Sequence, residues 1–147
     1  MGKIAFVFPG QGAQYVGMGK DFYETFLESR EVFEVASEAS GLDLMALCFE
    51  ENEKIHQTEY TQICMLTAEM AVLRAVEKTG LRSDVNAGLS LGEYGALVAS
   101  GVMGLFDACK VVRQRGILMQ EAVPTGGAMA AVMAMDAAVI EEICEKT

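Results

Sequence analysis

Residues 85–98 read VNAGLSLGEYGALV, and the run Gly88-Leu89-Ser90-Leu91-Gly92 inside them constrains the fold more than any other stretch. A short strand pattern, DVNAG, precedes it, and a helical pattern ended by Gly101 follows. Gly-x-Ser-x-Gly between strand and helix is the pattern of a nucleophile elbow. The turn is so tight that side chains two residues either side of the serine would collide, which explains Gly88 and Gly92. Such a turn lifts the serine oxygen to the strand tip. It also aims the next backbone N–H, that of Leu91, where the helix dipole favours a developing oxyanion. The same five residues also fit a plain strand–helix connection in which Ser90 only caps the helix.

The rest of the chain alternates strand and helix, which predicts an α/β protein with a parallel sheet. KIAFVFPG is a continuous apolar run and reads as a central strand buried on both faces. One or two helices follow in 20–40, then a short helix in DLMALCFE and a polar loop in ENEKIHQTEY. The strongest helical pattern covers 61–79, with Ile63, Leu66, Met70, Leu73 and Val76 on one face. A further helix over 106–123 stops at Pro124. AMAAVMAM, residues 128–135, reads as an apolar strand, with Asp136 capping a last helix.

At 147 residues the chain has the length of one domain. Its net charge of −10 argues against nucleic acid as a partner. No apolar run is long enough to span a bilayer and no signal peptide is visible, so no membrane partner is expected and the cytoplasm is the expected location. Cys48, Cys64, Cys109 and Cys144 form no metal or dithiol spacing and read as reduced, mostly buried thiols.

Two further features carry chemistry. FPGQGAQ leaves the first strand as a glycine-rich loop, but Tyr15 stands where a dinucleotide fingerprint needs its third glycine, and the lysine of a phosphate loop is missing. It could supply a second oxyanion N–H from Gln11, and a plain connecting loop fits equally well. In VVRQRGILMQ, Arg115 lies nearer the apolar face than Arg113, which should be the more solvated of the two. A guanidinium so placed needs an anionic partner, and spacing alone favours a structural salt bridge.

FPGQGAQ, TQICMLTAEMAVLRAV, GLSLGEYGALVASG and VVRQRGILMQEAVP with GGAMAAVMAMD, in this order and spacing, resemble the malonyl-CoA:acyl carrier protein transacylases and related acyltransferase domains. The resemblance covers essentially the whole chain. It implies a seryl-ester malonyl transfer from malonyl-CoA to the phosphopantetheine thiol of acyl carrier protein, with no cofactor. By position, Ser90 matches the nucleophile, and the Gln11 and Leu91 N–H groups match the oxyanion hole. Arg115 matches the arginine that binds the malonyl carboxylate, which displaces the salt-bridge reading, and Gln62 matches a glutamine near the active site. The implied fold is an α/β-hydrolase-like core over residues 1–125. Residues 126–147 would be the first strand and helix of a ferredoxin-like subdomain.

Two departures stand out. Leu89 occupies the position before the nucleophile where the family usually has histidine. The family's catalytic histidine lies beyond the small subdomain, whereas this chain has only His56, in a polar run the family pattern does not use. The expectation is the N-terminal half of a longer enzyme, a piece completed by a C-terminal segment or chain, with little activity alone. The rival readings are a serine hydrolase or phospholipase sharing the elbow, and a non-catalytic interaction module or half of a split enzyme.

Overall fold

A computed structural model of the chain describes residues 2–127 and 132–146. Two short strands, β1 (Ala5–Phe8) and β2 (Val85–Gly88), pair in parallel with Ala5 opposite Val85 and Phe8 opposite Gly88. Between them run α1 (Lys20–Thr25), α2 (Leu27–Ser40), α3 (Leu44–Phe49), a 3-10 turn (Glu53–His56) and α4 (Thr58–Lys78). After β2 come α5 (Gly92–Ala99), α6 (Leu105–Ala122) and α7 (Ala137–Lys146). The protein is therefore α/β, with helices around a small parallel sheet.

The long crossover follows from parallel pairing, because the chain must return to the same end of the sheet before it can pair again. Its local stops and starts follow from short polar side chains. Asp43 Oδ1 accepts the Ala46 N–H at 2.9 Å at the start of α3, and Asn52 Oδ1 accepts the Ile55 N–H at 3.0 Å at the start of the 3-10 turn.

The core centres on α4, which packs most extensively against α6 and α2. Ile63, Leu66, Met70 and Leu73 are buried as the helical stripe predicts, but every residue from Thr61 to Ala68 is buried as well. The helix is enclosed, not merely amphipathic. Its buried hydroxyls stay hydrogen-bonded: Thr61 Oγ1 donates to the Ile55 carbonyl at 2.7 Å and Thr67 Oγ1 to the Ile63 carbonyl at 2.8 Å.

Three expectations need correction. The first strand is not buried on both faces: Phe8 is buried, but Val7 is 73% exposed. Among the described residues β2 is the only strand beside β1, and an open apolar groove of about 420 Å³ runs between β1, residues 13–19 and α4. The polar loop of residues 51–60 contains the 3-10 turn and the start of α4, and it buries Ile55 completely. Of the strand expected over 128–135, residues 128–131 lie outside the described residues, and 132–135 are irregular. The Asp136 cap is present, its Oδ1 accepting the Ala138 N–H at 2.9 Å, and α7 buries none of its residues.

Cys48, Cys64 and Cys109 are buried and Cys144 is exposed, all as free thiols. Burial pushes the Cys109 thiol up to about 12. No helix among the described residues is long and apolar enough to cross a membrane.

Candidate active site

β2 ends at Gly88 and α5 begins at Gly92, so three residues make the whole turn. Ser90 takes φ +52°, the left-handed region that a non-glycine residue occupies only under constraint, at a cost of about 1–3 kcal/mol. Both glycines are required by close approach. A Cβ on Gly88 would lie 2.0 Å from the Gly92 carbonyl oxygen, and one on Gly92 would lie 2.2 Å from the Phe8 carbonyl oxygen. The predicted collision is thus with backbone, partly the elbow's own and partly that of β1. Ser90 is exposed at the C-terminal end of the sheet, where open α/β sheets place their ligands.

The loop after β1 lies directly against this turn. The Leu89 N–H donates to the Phe8 carbonyl at 3.1 Å, and a Cβ on Gly10 would lie 2.8 Å from the Leu89 carbonyl oxygen. Gln11 is therefore next to the elbow. Among the described residues no protein acceptor takes the backbone N–H of Gln11 or of Leu91. Leu89 is 71% exposed, and its side chain borders Gly10.

Arg115 reaches the same place from α6. Its Nη2 donates to Ser90 Oγ at 3.1 Å, and its Nη1 donates to Oε1 of the fully buried Gln62. The guanidinium carbon stands 5.8 Å from the centre of the Tyr94 ring. Gln62 is fixed in turn, with Nε2 3.2 Å from Met119 Sδ. Among the described residues no carboxylate pairs with Arg115. The structural ion pair that spacing suggested belongs to its neighbour. Arg113 Nη2 meets Glu59 Oε2 at 3.1 Å, Nη1 donates to the Glu59 carbonyl at 2.7 Å, and the side chain is only 17% exposed. Arg113, expected to be the more solvated of the two arginines, is half-buried like Arg115, because α4 begins beside it and supplies both acceptors.

His56 ends the exposed 3-10 turn and makes no hydrogen bond to Ser90. Sequence reasoning brought Ser90, Gln11, Leu91, Gln62, Leu89 and Arg115 to one place, and the structure places them there. It passed over Tyr94 and Met119, which hold Arg115 and Gln62. Tyr94 had a legible signal, since it lies four residues past Ser90 on the departing helix.

A serine at the tip of a strained turn stands beside a guanidinium that, among the described residues, has no carboxylate partner. The sequence profile described as the acyl transferase domain matches residues 5–146. The chain belongs to the acyl transferase domain family. Among acyl transferase relatives, the malonyl CoA-acyl carrier protein transacylase of Bacillus subtilis strain 168 is 45% identical over 148 residues, covering 99% of this chain and 47% of that protein. The crystal structure of the Clostridium perfringens malonyl CoA-acyl carrier protein transacylase superposes with TM-score 0.89 at 50% identity, over 99% of this chain and 46% of that one. A malonyl-transacylase solved in complex with its type II PKS acyl-carrier protein gives TM-score 0.90 at 40% identity, over 99% of this chain and 48% of that one. The chain spans about half the length of the relatives it matches.

Proposed function

We propose that this chain carries the nucleophile and the acyl-selecting arginine of a malonyl-CoA:acyl carrier protein transacylase. Ser90 Oγ attacks the thioester carbonyl of malonyl-CoA, and the negative charge that develops on the carbonyl oxygen is taken up by the Gln11 and Leu91 N–H groups. The carbon–sulfur bond breaks, coenzyme A leaves as the thiol, and a malonyl ester remains on Ser90. The phosphopantetheine thiol of acyl carrier protein then attacks that ester and restores the hydroxyl. Arg115 has five N–H donors and no acceptor, so it cannot take the serine proton. Its role is to hold the free malonyl carboxylate through two charge-assisted hydrogen bonds. The base belongs to the other half of a complete family chain, where the resemblance places a histidine.

The observation that carries this reading is the Arg115 guanidinium 3.1 Å from the Ser90 hydroxyl with no carboxylate among the described residues to neutralise it. A hydrolase acting on neutral esters has no use for a cation there. The finer architecture supported by the family is an α/β-hydrolase-like core over residues 1–125 and the beginning of a ferredoxin-like subdomain over 126–147. The partners are malonyl-CoA and acyl carrier protein, with no resident cofactor and a cytoplasmic setting.

The test uses a full-length chain in which this sequence is joined to the remaining half of the Clostridium perfringens relative. Arg115→Ala is expected to lower malonyl transfer roughly 10- to 100-fold, the loss expected for hydrogen bonds between charged groups, while acetyl transfer survives or rises. An equal fall for both acyl groups would make Arg115 structural.

A further inference from the structure

Gln11 stands between two glycines in an exposed loop, and Gly12 has φ +114°. Within the loop the Gln14 side chain accepts the Gly12 N–H at 2.8 Å, but among the described residues no loop group holds Gln11 itself. An oxyanion donor acts only when it is aimed in advance, so something outside the loop must hold Gln11.

The structure supplies that restraint. Gln11 Nε2 donates to Thr58 Oγ1 at 3.0 Å, across 47 residues of sequence. Thr58 is the first residue of α4, one past the N-cap Gln57, and its hydroxyl accepts from the loop. Thr58 itself is anchored to α6: its N–H donates to Gln120 Oε1 at 3.1 Å. One residue on, Arg113 grips Glu59, and Gly116 lies so close that a Cβ there would be 3.0 Å from Glu59 Cα. The first turn of α4 is thus clamped to the helix that carries Arg115.

We propose that Thr58 is a positioning residue that sets the Gln11 backbone N–H relative to Ser90, tying the oxyanion loop to the same helix pair that places Arg115 and Gln62. This rests on the proposed function. One exposed hydrogen bond contributes little to folding, whereas removing an aligned oxyanion donor costs ~10²–10³-fold in rate. The two consequences therefore separate cleanly in size.

The experiment uses the full-length chain in which this sequence is joined to the remaining half of the Clostridium perfringens relative, and compares it with Thr58→Val, which keeps the shape and removes the hydroxyl, and with Thr58→Ser, which retains it. Two readouts are taken: the ¹⁵N order parameter of the Gln11 amide, and the kinetics of Ser90 phosphonylation by a fluorophosphonate. Thr58→Val is expected to drop the Gln11 order parameter from ~0.85 toward 0.6. It should slow the maximal phosphonylation rate about 10- to 100-fold with the reagent's half-saturation unchanged, while the urea midpoint barely moves. Thr58→Ser should keep both at the wild-type level. A Gln11 amide equally ordered in Thr58→Val, or an unchanged maximal rate, overturns the proposal. Failure of the wild-type chain to react at Ser90 would count against the nucleophile reading, and the order parameter would still decide whether Thr58 holds the loop.

Discussion

Glu69 carries both carboxylate oxygens into the interior, and among the described residues neither finds a hydrogen-bond partner. Its Oε2 faces Gly95 on α5, where a Cβ would lie 2.9 Å away, and the Phe8 ring packs against the same spot. Burial pushes its carboxyl up to about 8 from an ordinary 4.5, so it stays protonated at neutral pH. Below 4.5 the folded and unfolded chains both hold the proton. Between there and 8 only the folded chain does, so stability falls with rising pH by up to ~1.4 kcal/mol per unit, and the slope ends above 8. Glu69→Gln should remove that component. Urea denaturation of both proteins at pH 5, 6.5 and 8 checks it: the wild type should lose stability relative to the variant as pH rises, and parallel curves would refute the assignment. At this same scale the elbow was fully legible, because the clash that demands Gly88 and Gly92 arises within five consecutive residues and one adjacent strand. The two arginines were less so. Helical spacing gives an angle, but not that α4 starts beside Arg113 with a carbonyl and a carboxylate to offer.

At the scale of elements, periodicity located α4, α5 and α6 to within a few residues, because each has a long apolar pattern and a glycine or proline stop. It failed where burial depends on what packs from elsewhere. β1 has the composition of a doubly covered strand, yet Val7 is largely exposed and lines the open groove, with no described element covering that face. The run ENEKIHQTEY looks solvated by composition, yet its single aliphatic residue is wholly enclosed. Ile55 is held inward by the Asn52 cap and by its carbonyl's bond to Thr61. Ile55→Ala should therefore cost ~2–5 kcal/mol, as for a core residue. His56→Ala beside it should stay within about 0.5 kcal/mol, as for an exposed one. Chemical denaturation of the two variants checks this, and equal small effects would mean that the 3-10 turn does not pack as described.

At the scale of the whole molecule, the chain brings serine, glycine-rich loop and arginine together within about half the length of its relatives. It leaves an apolar groove beside β1 and an α7 that buries nothing. The parts of the site that lie in these 147 residues were readable because they sit on motifs. The base was not: His56 ends the 3-10 turn and makes no hydrogen bond to Ser90. Positioned base catalysis contributes ~10²–10⁴-fold, so this chain alone should turn over little malonyl-CoA, and the C-terminal half of a close relative should bind it and restore transfer. The most direct measurement is intact mass and peptide mapping after exposure to malonyl-CoA in the presence of the C-terminal half of the Clostridium perfringens transacylase, with Ser90→Ala alongside. A single malonyl adduct on the peptide containing Ser90, absent from Ser90→Ala, is the expected result. An adduct on a cysteine or another serine, or one that persists in Ser90→Ala, would contradict the assignment of Ser90 as the acyl-accepting nucleophile.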